Sequence, residues 1–255
     1  MTARRFAFVA GSGMDPLARV MTARREVRFD DIAGVGACGV EGHVGRVLEG
    51  TVGGRECTLV VGRRHVYEGD PAAVAHLVAW LAESGITDLV MASAAGGLHR
   101  GAEPGDLVIA RDIIDIQNRE YLARRVGGRQ EPAQGATTHP TGLRIDRALA
   151  AEIERAATAA RVRWQRGTIV CGVGPAYETP AEVRVFQDWG DTATMSAAPE
   201  LVAASWLGLR AAAIALVTNP CTGVASSRPN HTEVLEAGRR MVGGLGDVIQ
   251  QLIAM

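Results

Sequence analysis

The sequence predicts a single α/β domain with a mixed β-sheet flanked by helices. Short apolar runs alternate along the chain with longer segments of helical period, which is typical of α/β domains. Two apolar runs between residues 44 and 62 are separated by Gly53-Gly54, a hairpin signal that adds antiparallel strands to the sheet. No internal repeat and no linker interrupts this alternation, so we expect one domain over residues 1–255.

The first half of the chain consists of apolar runs that end at glycine-rich turns. The expected elements are a buried strand at 6–10, the hairpin over 44–62, a helix over 71–84, and strands over 86–92 and 106–116. The helix is predicted because apolar residues such as Leu77 and Leu81 recur on one face. The strand at 86–92 should end before the small residues Ala94-Ala95-Gly96-Gly97.

The second half begins with a polar, glycine-rich stretch and then returns to alternating elements. The expected elements are a loop over 117–141, a helix over 143–162, strands over 167–173 and 211–217, and two later helices. Thr179 should cap the first of these helices, because Pro180 and Glu182 complete a capping box. Asn230 should cap the last helix in the same way.

The composition excludes several classes of function. The 27 Lys and Arg residues balance 28 Asp and Glu residues, so we expect neither nucleic acid nor a membrane surface as a partner. No stretch approaches the length of about 18 apolar residues that a membrane span requires. The four cysteines are not spaced like metal ligands or like a disulfide framework. We therefore expect no bound metal and reduced thiols in a cytoplasmic protein.

Polar residues gather directly after the apolar strands, where open α/β sheets bind ligands. In Gly11-Ser12-Gly13 the backbone N–H groups and the hydroxyl could hold an anion, although the same residues also make an ordinary tight turn. Arg63 and His65 lie two apart at a strand end and should share one face. That face is either a phosphate site or a solvated basic edge, and Arg64 should point away from it.

Four further side chains are candidates whose roles the pattern alone leaves open. Glu178 follows an apolar strand, so its carboxylate is either exposed or a buried hydrogen-bond acceptor. Asn219 ends another apolar run, and its amide is either satisfied by the backbone or offered to a ligand. His231 lies in the first turn of the last helix and is either an exposed polar residue or a hydrogen-bonding group of the site. Met195 is of a type found more often in cores than against ligands.

Taken together and in order, a series of segments matches a known family. The matching segments are Gly-Ser-Gly at 11–13, then 42–46, 62–69, 94–98 with 104–106, 174–179, 195–196 with 199–200, 218–219 and 230–235. On these segments the chain resembles the trimeric purine nucleoside phosphorylases and the related methylthioadenosine phosphorylases. The resemblance extends from about Phe6 to Val248.

The resemblance implies a role for each matching residue. The residues that would hold phosphate are Ser12, His43, Arg63, His65, Ala94 through its backbone N–H, and Ser196. Those that would contact the ribose are Tyr67, Met195, His231 and, from a neighbouring subunit, His139. The purine would be bound by Tyr177, Glu178 and Asn219. Catalysis would rest on Asn219, Glu178 and His65, with Glu68 orienting His65.

The resemblance further implies the reversible phosphorolysis of inosine, guanosine and their deoxy forms to free base and pentose 1-phosphate. Inorganic phosphate would be the co-substrate, without another cofactor, and the protein would be a homotrimer. Asn219 carries both a donor and an acceptor, which suits N7 and O6 of a 6-oxopurine. Relatives that prefer 6-aminopurines carry Asp at this position.

A few residues depart from the family pattern and keep two other functions open. Ser93 replaces the usual Asn, Pro220 replaces the usual Lys, and the segment after Gln117 is shorter than in the family. His139 is typical of methylthio-specific relatives, whereas phosphorylases of 6-oxopurine nucleosides have an aromatic residue there. A phosphorylase of 5′-modified nucleosides, such as methylthioinosine or methylthioadenosine, is therefore an alternative. A catalytically weak nucleoside-binding protein is the alternative from another class.

Overall fold

Nine strands form one sheet in the computed structural model of this protein, which describes residues 4–40, 44–70, 72–117 and 145–255. The strands are β1 (Phe6–Ala10), β2 (Thr22–Arg28), β3 (Arg46–Val52), β4 (Arg55–Val61), β5 (Asp88–Gly97), β6 (Leu107–Asp115), β7 (Trp164–Cys171), β8 (Thr192–Thr194) and β9 (Arg210–Pro220). The helices within the same ranges are α1 (Ala72–Glu83), α2 (Arg147–Ala159), α3 (Pro180–Trp189), α4 (Ala198–Trp206) and α5 (His231–Ala254).

The sheet runs in the order β2-β3-β4-β1-β5-β8-β7-β6-β9 and contains both parallel and antiparallel pairs. β1 is parallel to β4 and β5, and β5 is parallel to β9, whereas β3 is antiparallel to both β2 and β4. Because β9 pairs with β5 as well as with β6, the strands β5, β8, β7, β6 and β9 close into a ring. The predicted fold class, an α/β fold with a mixed sheet, is confirmed.

Helices cover both faces of the sheet, because successive side chains of a strand point to opposite sides. Phe8 of β1 belongs to a buried cluster that includes Leu252 of α5. Its neighbour Val9 belongs to a second cluster, with Leu77 of α1 and Leu201 of α4. The sheet therefore lies between two helical layers. In the described part of the chain, no helix is both long and apolar enough to cross a membrane.

The predicted hairpin and helix caps are present. Gly53 and Gly54 have φ angles of +58° and +79°, the left-handed conformation that a two-residue turn between β3 and β4 requires. Thr179 caps α3 in a capping box with Glu182. The side chain of Asn230 caps α5. These elements are correct because their signals are local in sequence.

Two strands are longer than the sequence predicts. The predicted strands end at residues 92 and 217, but β5 continues to Gly97 and β9 to Pro220. A Cβ atom on Gly96 would lie 2.5 Å from Cys221 Sγ, so only glycine allows the chain after β9 to pass this close. The glycines at the end of β5 therefore mark a close approach within the sheet, and the predicted end of this strand at residue 92 is wrong.

The sequence pattern predicts neither β2 nor α4. Among the described strands β2 pairs with β3 alone, and its residues 22–26 are exposed, so it lacks the apolar alternation that usually reveals a strand. α4 has nine residues, seven of them buried, so it has no polar face to show a helical period. Both elements depend on tertiary position more than on local pattern.

Candidate functional site

The ends of β1, β4 and β5 meet at one edge of the sheet and bring the first candidate residues together. The parallel register aligns Ala10 with the last residue of β4 and with Ala92 of β5. Ser12, Arg63 and Ala94 follow these positions and line one cavity. The cavity therefore lies at the carboxyl edge of the parallel strands, the place where sheets of this class bind ligands.

Ser12 is fixed in place by close packing on its two glycine neighbours. Gly13 has a φ of +75°, and a Cβ atom on it would lie 2.5 Å from the carbonyl oxygen of Leu235 in α5. A Cβ atom on Gly11 would lie 3.2 Å from the carbonyl oxygen of Ala92. The glycines allow α5 and β5 to approach the turn, and Ser12 is held half-buried between them in the cavity wall.

Arg63 is only 1% exposed, and its guanidinium is held by several groups. Nη1 donates to Ser93 Oγ at 2.9 Å, and Nη2 donates to the carbonyl oxygens of Ala92 at 2.6 Å and Val9 at 3.3 Å. The Glu200 carboxylate lies 3.5 Å from Nη1. Burial lowers the pKa of Arg63, and the charge of Glu200 acts in the opposite direction. The arrangement fixes a cation in the cavity wall.

His65 is oriented by Glu68. Its Nδ1 lies 2.9 Å from Glu68 Oε1, which also accepts the backbone N–H of His65, while Glu68 Oε2 accepts the N–H of Gly39 at 2.6 Å. Burial favours the neutral acid, but these hydrogen bonds outweigh it and lower the pKa of Glu68. His65 stacks on Tyr67 with ring centroids 4.9 Å apart, and both line the cavity. Arg64 points elsewhere, as predicted, and donates to the carbonyl oxygen of Glu68.

The hydroxyl group of Ser93 connects Ser196 with Arg63. Ser196 Oγ donates to Ser93 Oγ at 3.1 Å, the oxygen that also accepts from Arg63. Thr194 Oγ1 lies 3.3 Å from Ser196 Oγ and donates to the carbonyl oxygen of Ala94 at 2.9 Å. Ser93, which departs from the family pattern, is therefore the junction between two predicted site residues.

Asn219 presents an amide of defined orientation. Thr218 Oγ1 donates to Asn219 Oδ1 at 2.8 Å, and Asn219 Nδ2 donates to the carbonyl oxygen of Pro220 at 2.9 Å. The flipped amide would place two oxygens together at Pro220, so the hydrogen bonds determine which atom is which. The side-chain amide has two donors and two acceptor positions, so one of each is left for the cavity.

Glu178 and Tyr177 follow β7 and complete the far end of the cavity wall. The Glu178 carboxylate lies against Gly172, where a Cβ atom would be 3.0 Å from Oε1. Burial raises the pKa of Glu178, although its own backbone N–H acts in the opposite direction. Tyr177 is 37% exposed at the cavity mouth.

Met195 and Tyr67 come together around a glycine. A Cβ atom on Gly174, which has a φ of +71°, would lie 2.7 Å from Met195 Sδ and 2.8 Å from Tyr67 Cε1. Glycine at this position therefore allows both side chains to pack in the cavity wall. His231, the first residue of α5, is half-buried and lines the same cavity.

The cavity has a volume of about 290 Å³, close to the lower end of the range for small-molecule sites. The predicted site residues that line it are Ser12, Arg63, His65, Tyr67, Ala94, Tyr177, Glu178, Met195, Ser196, Asn219 and His231. His43 and His139 lie outside the described residues. Across those ranges, no group of three His, Cys, Asp or Glu side chains is placed to hold a metal.

Several residues of the wall and of the layer behind it have no role assigned from the sequence. Thr194, Thr218 and Cys221 line the cavity, and Ser93 and Glu200 contact Arg63 from behind it. Thr194 and Thr218 each lie at a strand end beside a residue that was selected, so their position was a usable signal. Glu200 lies in a segment that matches the family, but its residue type suggested no role, because a Glu in the first turn of a helix is ordinary.

Comparison with known proteins places these residues in a family. The model of the phosphorylase superfamily matches residues 5–254. Purine nucleoside phosphorylase 1 of Bacillus subtilis (strain 168) is 30% identical over 248 residues, covering 96% of this chain and 90% of the relative. Purine nucleoside phosphorylase of Bos taurus is 31% identical over 261 residues, covering 97% and 88%. The crystal structure of Schistosoma mansoni purine nucleoside phosphorylase in complex with inosine superposes with a TM-score of 0.82 at 29% identity, covering 98% of this chain and 89% of that one.

Proposed function

Because this chain belongs to the phosphorylase superfamily, and to the purine nucleoside phosphorylases within it, we propose that it catalyses the reversible phosphorolysis of 6-oxopurine nucleosides. The protein is an enzyme of the pentosyltransferase class. The proposed substrates are inosine, guanosine and their deoxy forms, and the products are the free base and the pentose 1-phosphate. Inorganic phosphate is the proposed co-substrate, with no further cofactor.

The observation that carries the proposal is the oriented amide of Asn219 in the same cavity as Glu178. A 6-oxopurine has an acceptor at O6 and a donor at N1, so it matches one amide N–H and one carboxylate. A 6-aminopurine has the reverse pattern and would leave buried polar groups unpaired, which costs affinity. The remaining acceptor position of Asn219 can accept a hydrogen bond from the N7–H of the released neutral base.

The other residues of the cavity suit the charges of the proposed reaction. Cleavage of the glycosidic bond builds positive charge on the ribose and negative charge on the purine. Phosphate held by Ser12, Arg63 and His65 would stabilise the ribosyl cation and then attack its anomeric carbon. Hydrogen bonds from Asn219 to the purine become stronger as the base gains charge, so they favour the transition state over the substrate.

The experiment that tests this proposal is an assay of free-base release with and without phosphate. The substrates are inosine, guanosine, adenosine and methylthioadenosine. We expect release from inosine and guanosine that depends on phosphate. Cleavage of the methylthio substrate alone would replace the proposal by the 5′-modified alternative. Release without phosphate would indicate a hydrolase, and the absence of release would favour a nucleoside-binding protein.

The raised pKa of Glu178 predicts a pH dependence. Only the carboxylate accepts from N1–H, and burial raises its pKa, so protonation on acidification begins at a higher pH than for an ordinary Glu. We expect kcat/KM for inosine to fall as the pH is lowered through this pKa, with the acid limb above the ordinary glutamate value. The kcat/KM profile is measured because it reports groups of the free enzyme. The Glu178→Gln variant should lack this limb, and an unchanged limb in that variant would assign it to another group.

We also propose that the enzyme is a cytoplasmic homotrimer. Apolar side chains exposed near the cavity mouth and on α3 support a subunit contact; they include Val173 at 46% and Trp189 at 45% exposure. The predicted contribution of His139 to a neighbouring site requires such a contact. Cysteines that are all thiols are typical of a reducing compartment.

The proposed trimer predicts the mass of the protein in solution. Light scattering should give three times the mass of one chain, and the mass of a single chain would contradict the trimer.

A further inference from the structure

Glu200 is a buried carboxylate that the proposed reaction does not use directly. It lies in the first turn of α4 and is 2% exposed. In the described ranges, no hydrogen bond reaches its Oε1, and the cation within ion-pair distance of it is Arg63, at 3.5 Å. The cost of removing a carboxylate from water must be offset by a charge of opposite sign, and Arg63 supplies that charge.

The ion pair with Glu200 compensates the charge of Arg63, which the hydrogen bonds to Ser93, Ala92 and Val9 do not. Ser93, Ala92 and Val9 accept hydrogen bonds from the guanidinium, but all three are neutral. They fix its plane without compensating its charge. Among the described residues, Glu200 is the carboxylate that lies within 4 Å of Arg63. It therefore acts on both the position and the charge of the cation in the cavity wall.

Glu200 belongs to a short segment, residues 196–200, that also determines the position of Ser196. Ser196 and Glu200 flank Ala197, which has a φ of +78°, an unusual value for a residue with a side chain. A conformation of this kind persists where contacts on both sides determine it. Here Ser196 is tied to Ser93 at one end, and Glu200 is tied to Arg63 at the other. Loss of the ion pair would release this segment as well as the guanidinium.

We infer that Glu200 is a positioning residue for phosphate, acting through Arg63 and through the segment that carries Ser196. The inference rests on the proposed function, because it assumes that these two residues hold phosphate. Glu200 thus affects the binding of phosphate, and the contacts of Asn219 and Glu178 with the nucleoside do not depend on it.

The test compares Glu200→Gln and Glu200→Asp in steady-state kinetics with phosphate and inosine. Glu200→Gln keeps the shape and removes the charge, and it should raise KM for phosphate about tenfold, which corresponds to ~1.4 kcal/mol, while KM for inosine stays near that of the wild type. Glu200→Asp keeps the charge and loses volume, so it should bind phosphate better than Glu200→Gln. A purely packing role predicts the opposite order of the two variants and would overturn the inference.

Glu154→Gln is the matched control. Glu154 is 9% exposed and pairs with Arg166 outside the cavity, with hydrogen bonds of 2.5 and 2.6 Å. This variant should lower the melting temperature without changing KM for phosphate. If Glu200→Gln does not fold, Glu200→Asp is compared with the wild type, because the shorter side chain holds its charge farther from Arg63. A raised KM for phosphate with an unchanged KM for inosine supports the inference, and KM values that both stay unchanged or both rise overturn it.

Thermal stabilisation by inorganic phosphate separates this inference from the proposed function, since it requires no turnover. A wild-type protein that neither releases base with phosphate nor gains stability from it would overturn both. A wild-type protein that responds to phosphate, together with a Glu200→Gln variant that responds equally, would overturn the inference alone.

Discussion

Replacing Asn219 by Asp should reverse the preference of the enzyme between inosine and adenosine. A carboxylate removes the N–H that would face O6 and offers an acceptor to the 6-amino group instead. We expect the ratio of kcat/KM for inosine to that for adenosine to fall by a factor on the order of 10⁴, the scale on which a site rejects a mismatched polar edge. The ratio is the appropriate measurement, because it does not depend on the fraction of enzyme that is folded.

Asn219→Asp also changes the local hydrogen bonds, which affects the fraction of enzyme that is folded. The new oxygen would face the carbonyl oxygen of Pro220, where Asn219 Nδ2 now donates at 2.9 Å. We therefore expect some loss of thermal stability along with the change in preference. Asn230→Asp is the control, since Asp caps a helix as well as Asn and residue 230 does not line the cavity. An unchanged inosine-to-adenosine ratio in Asn219→Asp would refute the role of Asn219.

Replacing Glu178 by Gln should give the second largest effect. The amide keeps the shape of the side chain but loses the charge that accepts N1–H. We expect kcat/KM for inosine to fall by about 10²- to 10³-fold, the usual scale for one transition-state contact in a dry site. Adenosine lacks N1–H, so its kcat/KM should fall less. Turnover of inosine close to that of the wild type would remove Glu178 from the site.

A measurement of thermal stability distinguishes the loss of activity in Glu178→Gln from misfolding. Burial raises the pKa of Glu178 in the folded protein, so this group stabilises the fold only as the pH falls through that pKa, and at neutral pH its charge is unfavourable. Glu178→Gln removes the charge and should be at least as stable as the wild type at pH 7. Glu56→Gln is the control, because Glu56 is an exposed carboxylate of β4 that pairs with Arg24 outside the cavity and should leave the kinetics unchanged.

The elements that could be predicted from the sequence are those with local signals. The strand at Phe6–Ala10, the Gly53-Gly54 turn and the cap at Thr179 each depend on residues that are neighbours in the chain. The end of β5 could not be predicted, because Gly96 looks like a turn residue until Cys221 is known to lie against it. Local composition does not record which distant segment passes nearby.

The residues of the candidate site likewise fall into those that could be predicted from the sequence and those that could not. Side chains such as Ser12 and Asn219 could be selected, because polar residues after apolar strands are visible in the sequence and strand ends share an edge. The groups behind them could not be selected, since the contacts of Arg63 with Ser93 and Glu200 depend on the order of strands and on the position of α4. The hydrogen bond from Asn219 to Pro220 is likewise a property of the folded strand end.

The closure of β5, β8, β7, β6 and β9 into a ring has a consequence for solubility. In the ring each strand has a neighbouring strand on both sides over at least part of its length, so over the described ranges the strand with a neighbour on one side only is β2. That edge has the sequence Thr-Ala-Arg-Arg-Glu-Val-Arg, and charged residues along an edge oppose the addition of a further strand. The charged edge at β2 therefore opposes edge-to-edge association of copies, which is consistent with the proposed subunit contact through side-chain surfaces.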